Sequence, residues 1–300
     1  MYTLNDDRTI TAFSADAQPV LRVPDDAEIA IRTKDCYSNN LRVENDPRGE
    51  AHGSSAGCNP ATGPIFVEGA MPGDTLRCDI LSIAVDGYAS MRISSRGGLM
   101  ADRVTERTAR CIALKDGQAA LAGVTMALDP MIGVIGTAPA YDTVMTHTPA
   151  DHGGNMDCNK IVKGSTLYLP VNVEGALLSM GDLHALMGDG EVMICGVETG
   201  GLVTVRVSVV RDFPMPTPAL RCRGRFSTIQ SDRTLDEAAR RASREMHAFL
   251  RRVTGMDACE AAMLLSLKGD LAVCQIVDPA RTVRMEIDEH ILDDYGVVLP

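Results

Sequence analysis

Before Thr234 this chain has no stretch of sustained 3.6-residue apolar periodicity, which turns its first two-thirds away from helical architectures and towards a sheet-based one. Period-two or β-branched segments occupy that region instead: AEIAIRT (27–33), TLRCDILSIAV (75–85) and LVTVRVSVV (202–210), separated by Gly, Pro and Asp. Pro72-Gly73-Asp74 reads as a turn that launches a strand. A crossover is expected over 212–233, where Pro214, Pro216 and Pro218 favour extended backbone. Helical signals begin only afterwards. Thr234 and Glu237 form a capping-box pattern ahead of a stripe of Leu235, Ala239, Ala242, Met246, Phe249 and Val253. Asp257 and Glu260 repeat that pattern for a second helix, which Gly269 is placed to end with a positive φ. LAVCQIVD and TVRMEID then return to strand composition.

The fold class expected is therefore mainly β (α+β): a β-sandwich or jelly-roll-like body with a second β-barrel-like unit and a C-terminal helical hairpin. In domain terms, residues 1–211 form the β-rich catalytic body, and 212–300 supply the crossover, the hairpin and closing strands packed on it. An echo between TGPIFVEGAMPGD and TLYLPVNVEGALLSMGD suggests that the body contains two related β units.

Composition narrows the class of partner. A net charge of -11, no tryptophan and 4% aromatic residues leave neither a basic face nor stacking platforms for nucleic acid. The nine cysteines are odd in number and never spaced CxxC, which suggests a reducing compartment rather than a disulfide framework. With no secretory leader pattern and no long uncharged apolar stretch, no membrane partner is expected and the location expected is cytoplasmic.

Chemistry concentrates in residues 152–200, HGGNMDCNKIVKGSTLYLPVNVEGALLSMGDLHALMGDGEVMICGVETG. His152, Asp157, His184, Asp189, Glu191 and Glu198 offer nitrogen and oxygen donors among glycines that allow close backbone approach. His184 sits between Asp182 and Asp189, and imidazole with carboxylates suits zinc or a similar ion. In HGGNMD the backbone of Gly153 and Gly154 and the amide of Asn155 are candidates for holding a substrate carbonyl. His152 is open to three roles: ligand, proton shuttle or neighbour of the ligands. On a regular strand, Glu191 and Glu198 would face opposite ways, so a bulge at Gly196 is needed if both serve one site. Glu198 is then the favoured ligand and Glu191 a candidate base. Cys158, activated by His152, is a competing nucleophile. GSSAG (53–57) does not match GxSxG, and GxxxxGK[ST], GxGxxG and HExxH are absent, which leaves metal-assisted hydrolysis as the economical chemistry.

The chain also resembles the acetamidase/formamidase family through NPATGPIFVEGAMPGDTL (59–76), PMIGVIGTAP (130–139), the HGGNMD to GVET block and LLSLKGDLAVCQIVDP (264–279). That resemblance implies hydrolysis of a small neutral amide, formamide or acetamide, to carboxylate and ammonia. It places Asp35 in the same site, giving Asp35, Asp157, His184 and Glu198 as metal ligands and Glu191 or His152 as the group that moves the proton. Zinc is the first expectation, with calcium or magnesium as alternatives. Family members are expected to carry Thr after the HGGNMD aspartate, so Cys158 is a departure that counts against a thiol mechanism. His52, Cys58 and Asn59 are read as pocket-shaping residues with no catalytic step. A homodimer or higher homo-oligomer is expected. The alternatives are hydrolysis of another small amide, lactam or carbamoyl compound, or a noncatalytic binding module.

Overall fold

The structure, a computed structural model, describes residues 1–41 and 59–300, so His52, Cys58 and GSSAG lie outside the described residues. The alternating segments are strands: Gly201–Val210 pairs antiparallel with Ala27–Thr33 on one side and Thr75–Val85 on the other. Every second residue of Gly201–Val210 is buried, so Val203, Val205 and Val207 share the core face, as the two-residue period requires. These strands belong to a nine-stranded sheet ordered Tyr2–Leu4, Ala27–Thr33, Gly201–Val210, Thr75–Val85, Thr166–Pro170, Ala219–Cys222, Arg225–Asp232, Arg281–Asp288 and Asp270–Gln275.

A second nine-stranded sheet runs through Gly153–Asn155, Met131–Gly136, Leu178–His184, Glu198–Thr199, Tyr88–Ile93 and Thr108–Ala113, with Ala61–Val67 also paired to Leu178–His184. The main core joins the two, combining Ile29, Leu76 and Val205 of the first sheet with Ile65, Met131 and Leu183 of the second. The body is a β-sandwich. The two VEGA segments meet inside it: the Val67 N–H donates to the Gly175 carbonyl at 3.0 Å and the Gly175 N–H to the Ala70 carbonyl at 2.8 Å.

The helical hairpin forms where its caps predict. Helix α1 (Leu235–Thr254) starts with the Glu237 N–H donating to Thr234 Oγ1, but the reciprocal half of that box is not made and Glu237 pairs with Arg240 instead. Helix α2 (Ala258–Lys268) has the complete box of Asp257 and Glu260. Ala242, Met246 and Phe249 of α1 are buried against the sheet, where Phe249 stacks on Phe226 at 4.4 Å and meets Phe213 at 5.9 Å. Three of the chain's five phenylalanines thus fix the hairpin to the β body.

Two local expectations are corrected. Gly269 has φ −82 and not the left-handed value, which Gly255 adopts at the end of α1 with φ 76. Gly269 is small for another reason: a Cβ there would lie 2.6 Å from the Leu265 carbonyl oxygen. The crossover is also shorter than 212–233, since Ala219–Cys222 and Arg225–Asp232 are paired strands and only the proline cluster before them is irregular. The first sheet continues across residues 211 and 212, with strands from both sides in one hydrogen-bonded order. Among the described residues no helix is long and apolar enough to cross a membrane.

Candidate active site

His184 ends the strand Leu178–His184, in register with Glu198 on one neighbour and Met131 on the other. Cross-strand pairing sets adjacent side chains on one face, and His184 Nε2 lies 3.1 Å from Glu198 Oε2. Asp182, two residues earlier, shares that face and brings Oδ1 to 3.6 Å from the same nitrogen. Asp157 Oδ1 approaches from the segment after Gly153–Asn155, at 3.9 Å. Glu191 is not on a strand. It enters a turn closed by the Ile194 N–H donating to its carbonyl at 2.8 Å, and this turn replaces the bulged strand expected over 191–198. Asp157, Asp182 and Glu191 have φ of 42, 55 and 45. Left-handed backbone at non-glycine residues costs on the order of 1–3 kcal/mol each and collects where the surroundings hold it for function.

Ligand-capable atoms converge in two groups, Asp157 with His184 and Glu191, and Cys36 with Asp182 and Glu198, each within 4.8 Å of one another. Glycine makes the room. A Cβ at Gly133 would stand 2.6 Å from Asp157 Oδ1, and one at Gly196 would stand 2.6 Å from the Cγ and Nδ1 of His184. Gly196 is thus needed for close approach to the imidazole rather than for a bulge. Beside the groups lies a cavity of about 560 Å³, whose walls include Asn59, Asn155, His184, Glu191, Glu198 and Asp278. Both asparagines brace carboxylates: Asn59 Nδ2 donates to Asp182 Oδ2 and Asn155 Nδ2 to Asp278 Oδ2, each at 2.7 Å.

The electrostatics are those of too many carboxylates for one imidazole. Burial, reinforced by Asp278, raises Asp157 well above the usual carboxylate range; burial with Asp157 does the same to Glu191, and burial with Glu191 to Asp278. Asp182 is pushed up to about 6 by burial and Glu198. Burial works against ionising Glu198 and His184 as well, but their mutual attraction prevails, lowering the first and raising the second. Both oxygens of Asp157, Oδ1 of Asp182 and Oε2 of Glu191 are buried without a hydrogen-bond partner among the described residues. Unpaired buried carboxylates are costly, and divalent cations are groups that would satisfy them, Asp157 and Glu191 in one set and Asp182 in the other. The donor set, imidazole and thiol with carboxylates, fits such an ion.

Of the residues singled out in the sequence, Asp157, His184, Glu191, Glu198 and Asn155 come together. Others do not. His152 is buried with its ring edge-on to Phe13 at 4.9 Å, off the cavity wall, and burial lowers it to about 4. The Gly153 N–H is spent on the Ala150 carbonyl at 3.0 Å, and Gly153 and Gly154 serve the close pairing with Met131–Gly136 rather than the cavity. Asp35 lies in an Asx turn, its Oδ1 accepting the N–H groups of Tyr37 and Asn39 at 2.9 and 2.6 Å, while the neighbouring Cys36 joins a ligand group. Asp189 turns away to a two-pronged pair with Arg284 at 2.8 and 2.9 Å. Cys158 is fully buried and does not line the cavity. Sequence reasoning missed Cys36, Asp278 and the role of Asp182; the placement of Asp182 two residues before His184 was the one readable signal.

The sequence profile described as the Acetamidase/Formamidase family matches residues 4–148 and 140–293. An acetamidase of Mycolicibacterium smegmatis is 28% identical over 221 residues, covering 52% of this chain and 54% of that protein, so the chain spans about half the length of this curated relative. Two solved structures match almost throughout. An acetamidase from Bacillus halodurans has a TM-score of 0.94 at 40% identity, covering 98% of this chain and 100% of that one. A predicted acetamidase/formamidase from Thermoanaerobacter tengcongensis has a TM-score of 0.96 at 37% identity, covering 99% of each chain.

Proposed function

Since the chain belongs to the acetamidase/formamidase family, we propose that it hydrolyses short-chain aliphatic amides, formamide and acetamide, to carboxylate and ammonia at the cluster around His184, with a divalent cation as cofactor. One observation carries the reading: buried, unpartnered carboxylate oxygens of Asp157, Asp182 and Glu191 surround a single imidazole at the wall of an accessible cavity. Asp157, His184 and Glu191 would hold a cation, with Cys36, Asp182 and Glu198 as a second set. Zinc suits the nitrogen and sulfur donors, and calcium or magnesium would suit the oxygens alone. When bound, such an ion supplies Lewis acidity that activates water and polarises an amide carbonyl.

The chain supplies the rest. Glu191, raised above the usual carboxylate range by burial and Asp157, is the candidate general base when the cation sits in the second set, where Glu191 is not a ligand. Asp278, also raised by burial, is held at the cavity wall by Asn155 and can deliver a proton to the departing nitrogen. Asn59 fixes the orientation of Asp182. The left-handed backbone at Asp157, Asp182 and Glu191 keeps the carboxylates converged before substrate arrives. The free, buried thiols of Cys78, Cys158, Cys195 and Cys274 support a cytoplasmic site of action.

The test is metal analysis of the purified protein joined to an ammonia-release screen over formamide, acetamide, propionamide, benzamide and a dipeptide amide. We expect stoichiometric divalent metal, loss of both metal and activity in His184→Ala, and specificity constants that fall with acyl length. A preference for benzamide or the dipeptide amide would overturn the substrate assignment, and full activity in metal-free protein would overturn the cofactor.

A further inference from the structure

Helix α2 carries apolar residues on every side yet buries only Ala261, with Leu264 and Leu265 partly covered by the body. Met263 is 66% exposed and Leu267 80%, and Leu271, just beyond on the edge strand Asp270–Gln275, is 52% exposed. Cys259, Met263 and Leu267 recur every four residues, with Ala262 and Ser266 between them, so these five exposed side chains form one outward stripe. A helix that is apolar all round is normally enclosed, and a contiguous exposed apolar patch marks an interaction face.

We infer that this stripe is a homodimer interface, in which α2 of one copy packs antiparallel on α2 of a second copy across a two-fold axis near Met263. Charge selects a second copy as the occupant. Asp257 and Glu260 stand at one end of α2 and Lys268 at the other, so antiparallel self-pairing brings each lysine towards the acidic end of the opposite helix and also opposes the two helix dipoles. Parallel pairing would set like charges together. The small side chains of Ala262 and Ser266 let the helices approach closely. Beside Leu264 lies a cavity of about 250 Å³ whose walls include Glu260 and Asp294 as well as Ile291 and Tyr295, an acidic hollow at the end of α2 that the opposite copy's Lys268 would approach. No residue of α2 lines the candidate active-site cavity, so the interface stands or falls independently of the amidase reading.

Light scattering over a concentration series should give twice the 32.1 kDa chain mass for the wild type. Met263→Asp/Leu267→Asp should raise the dimer dissociation constant by about 100-fold or more, because two large apolar side chains per copy lose their burial, while circular dichroism shows the fold intact. In a Cys259→Ser background, Met263→Cys should cross-link to its symmetry mate on oxidation, since a residue on the axis faces itself. A monomeric wild type, as expected if a different protein covers α2, overturns the inference. So does a dimer that survives the double substitution, or Met263→Cys protein that dimerises without cross-linking.

Discussion

Replacing Gly196 with alanine adds one methyl group and tests how tightly the backbone is fitted to the imidazole. Its Cβ would lie 2.6 Å from both Cγ and Nδ1 of His184 and 3.1 Å from its Cβ, whereas non-bonded carbons settle at about 3.5 Å or more. A gap of roughly 1 Å must therefore open, and His184, buried between Met131 and Glu198 in the sheet, can yield only by moving its imidazole towards the cavity it lines. Shifting residue 196 instead disturbs its N–H bond to Glu198 Oε1 at 2.7 Å. Either way the geometry between His184 and Glu198 changes. Overpacking of this kind costs about 1–3 kcal/mol of stability, and a displacement of about 1 Å at reacting groups costs about 100-fold in rate. Gly196→Ala should thus lose most of its bound metal, by elemental analysis, and about two orders of magnitude in kcat/KM for acetamide, by ammonia release. Gly188→Ala is the control, because its Cβ would meet nothing within 4 Å. Undiminished metal content and kcat/KM in Gly196→Ala would refute the argument that this glycine sets the position of His184.

Chelated protein should lose stability as pH rises. The folded pKa of Asp182, about 6, lies above its ordinary 3.8, so its favourable contribution is full below pH 3.8 and is lost as pH passes through about 6. A shift of that size corresponds to about 3 kcal/mol over the full range, of which about 1 kcal/mol is lost between pH 5 and pH 7, readable as a lower Tm at pH 7 than at pH 5; a higher Tm at pH 7 would contradict the crowding of carboxylates. Asp278→Asn should retain metal but lower kcat for acetamide by about 10²–10⁴-fold, the range for loss of an acid–base group, and an unchanged kcat would remove Asp278 from the proton path. Cys158→Ser and Cys158→Thr should keep most activity, since Cys158 is sealed from the cavity, and a trapped acyl-enzyme in the parent protein would instead favour the thiol mechanism.

How much was legible in advance depended on the range of the interaction. Ala27–Thr33, Thr75–Val85 and Gly201–Val210 were readable because one face of each is buried and the alternation records it. Helix starts were readable because Thr234 and Asp257 act within three residues. His184, Asp157 and Glu198 stood out because glycines in their own segment open space for them. Asp278 and Cys36 left no local mark, since each is recruited by groups far along the chain. Asp35 entered through the family resemblance, but the direction of a side chain after a strand is set by the turn, and here an Asx turn directs the aspartate to its own backbone while Cys36 reaches the cluster. Glu191 was misplaced on a strand because a left-handed φ at glutamate contradicts its intrinsic preference.

The braces of the cluster, Asn59 to Asp182 and Asn155 to Asp278, each close a span of 123 residues. Asp278 lies in the connection between Asp270–Gln275 and Arg281–Asp288, the last paired strands of the chain. Contacts of such separation are made only after the entropy of closing large loops has been met. During synthesis the donors at 157, 182, 184, 191 and 198 therefore emerge from the ribosome well before the partner that completes their enclosure. A nascent chain holds the ingredients of the centre without its walls, so the chemistry stays unassembled until the final hairpin joins the sheet.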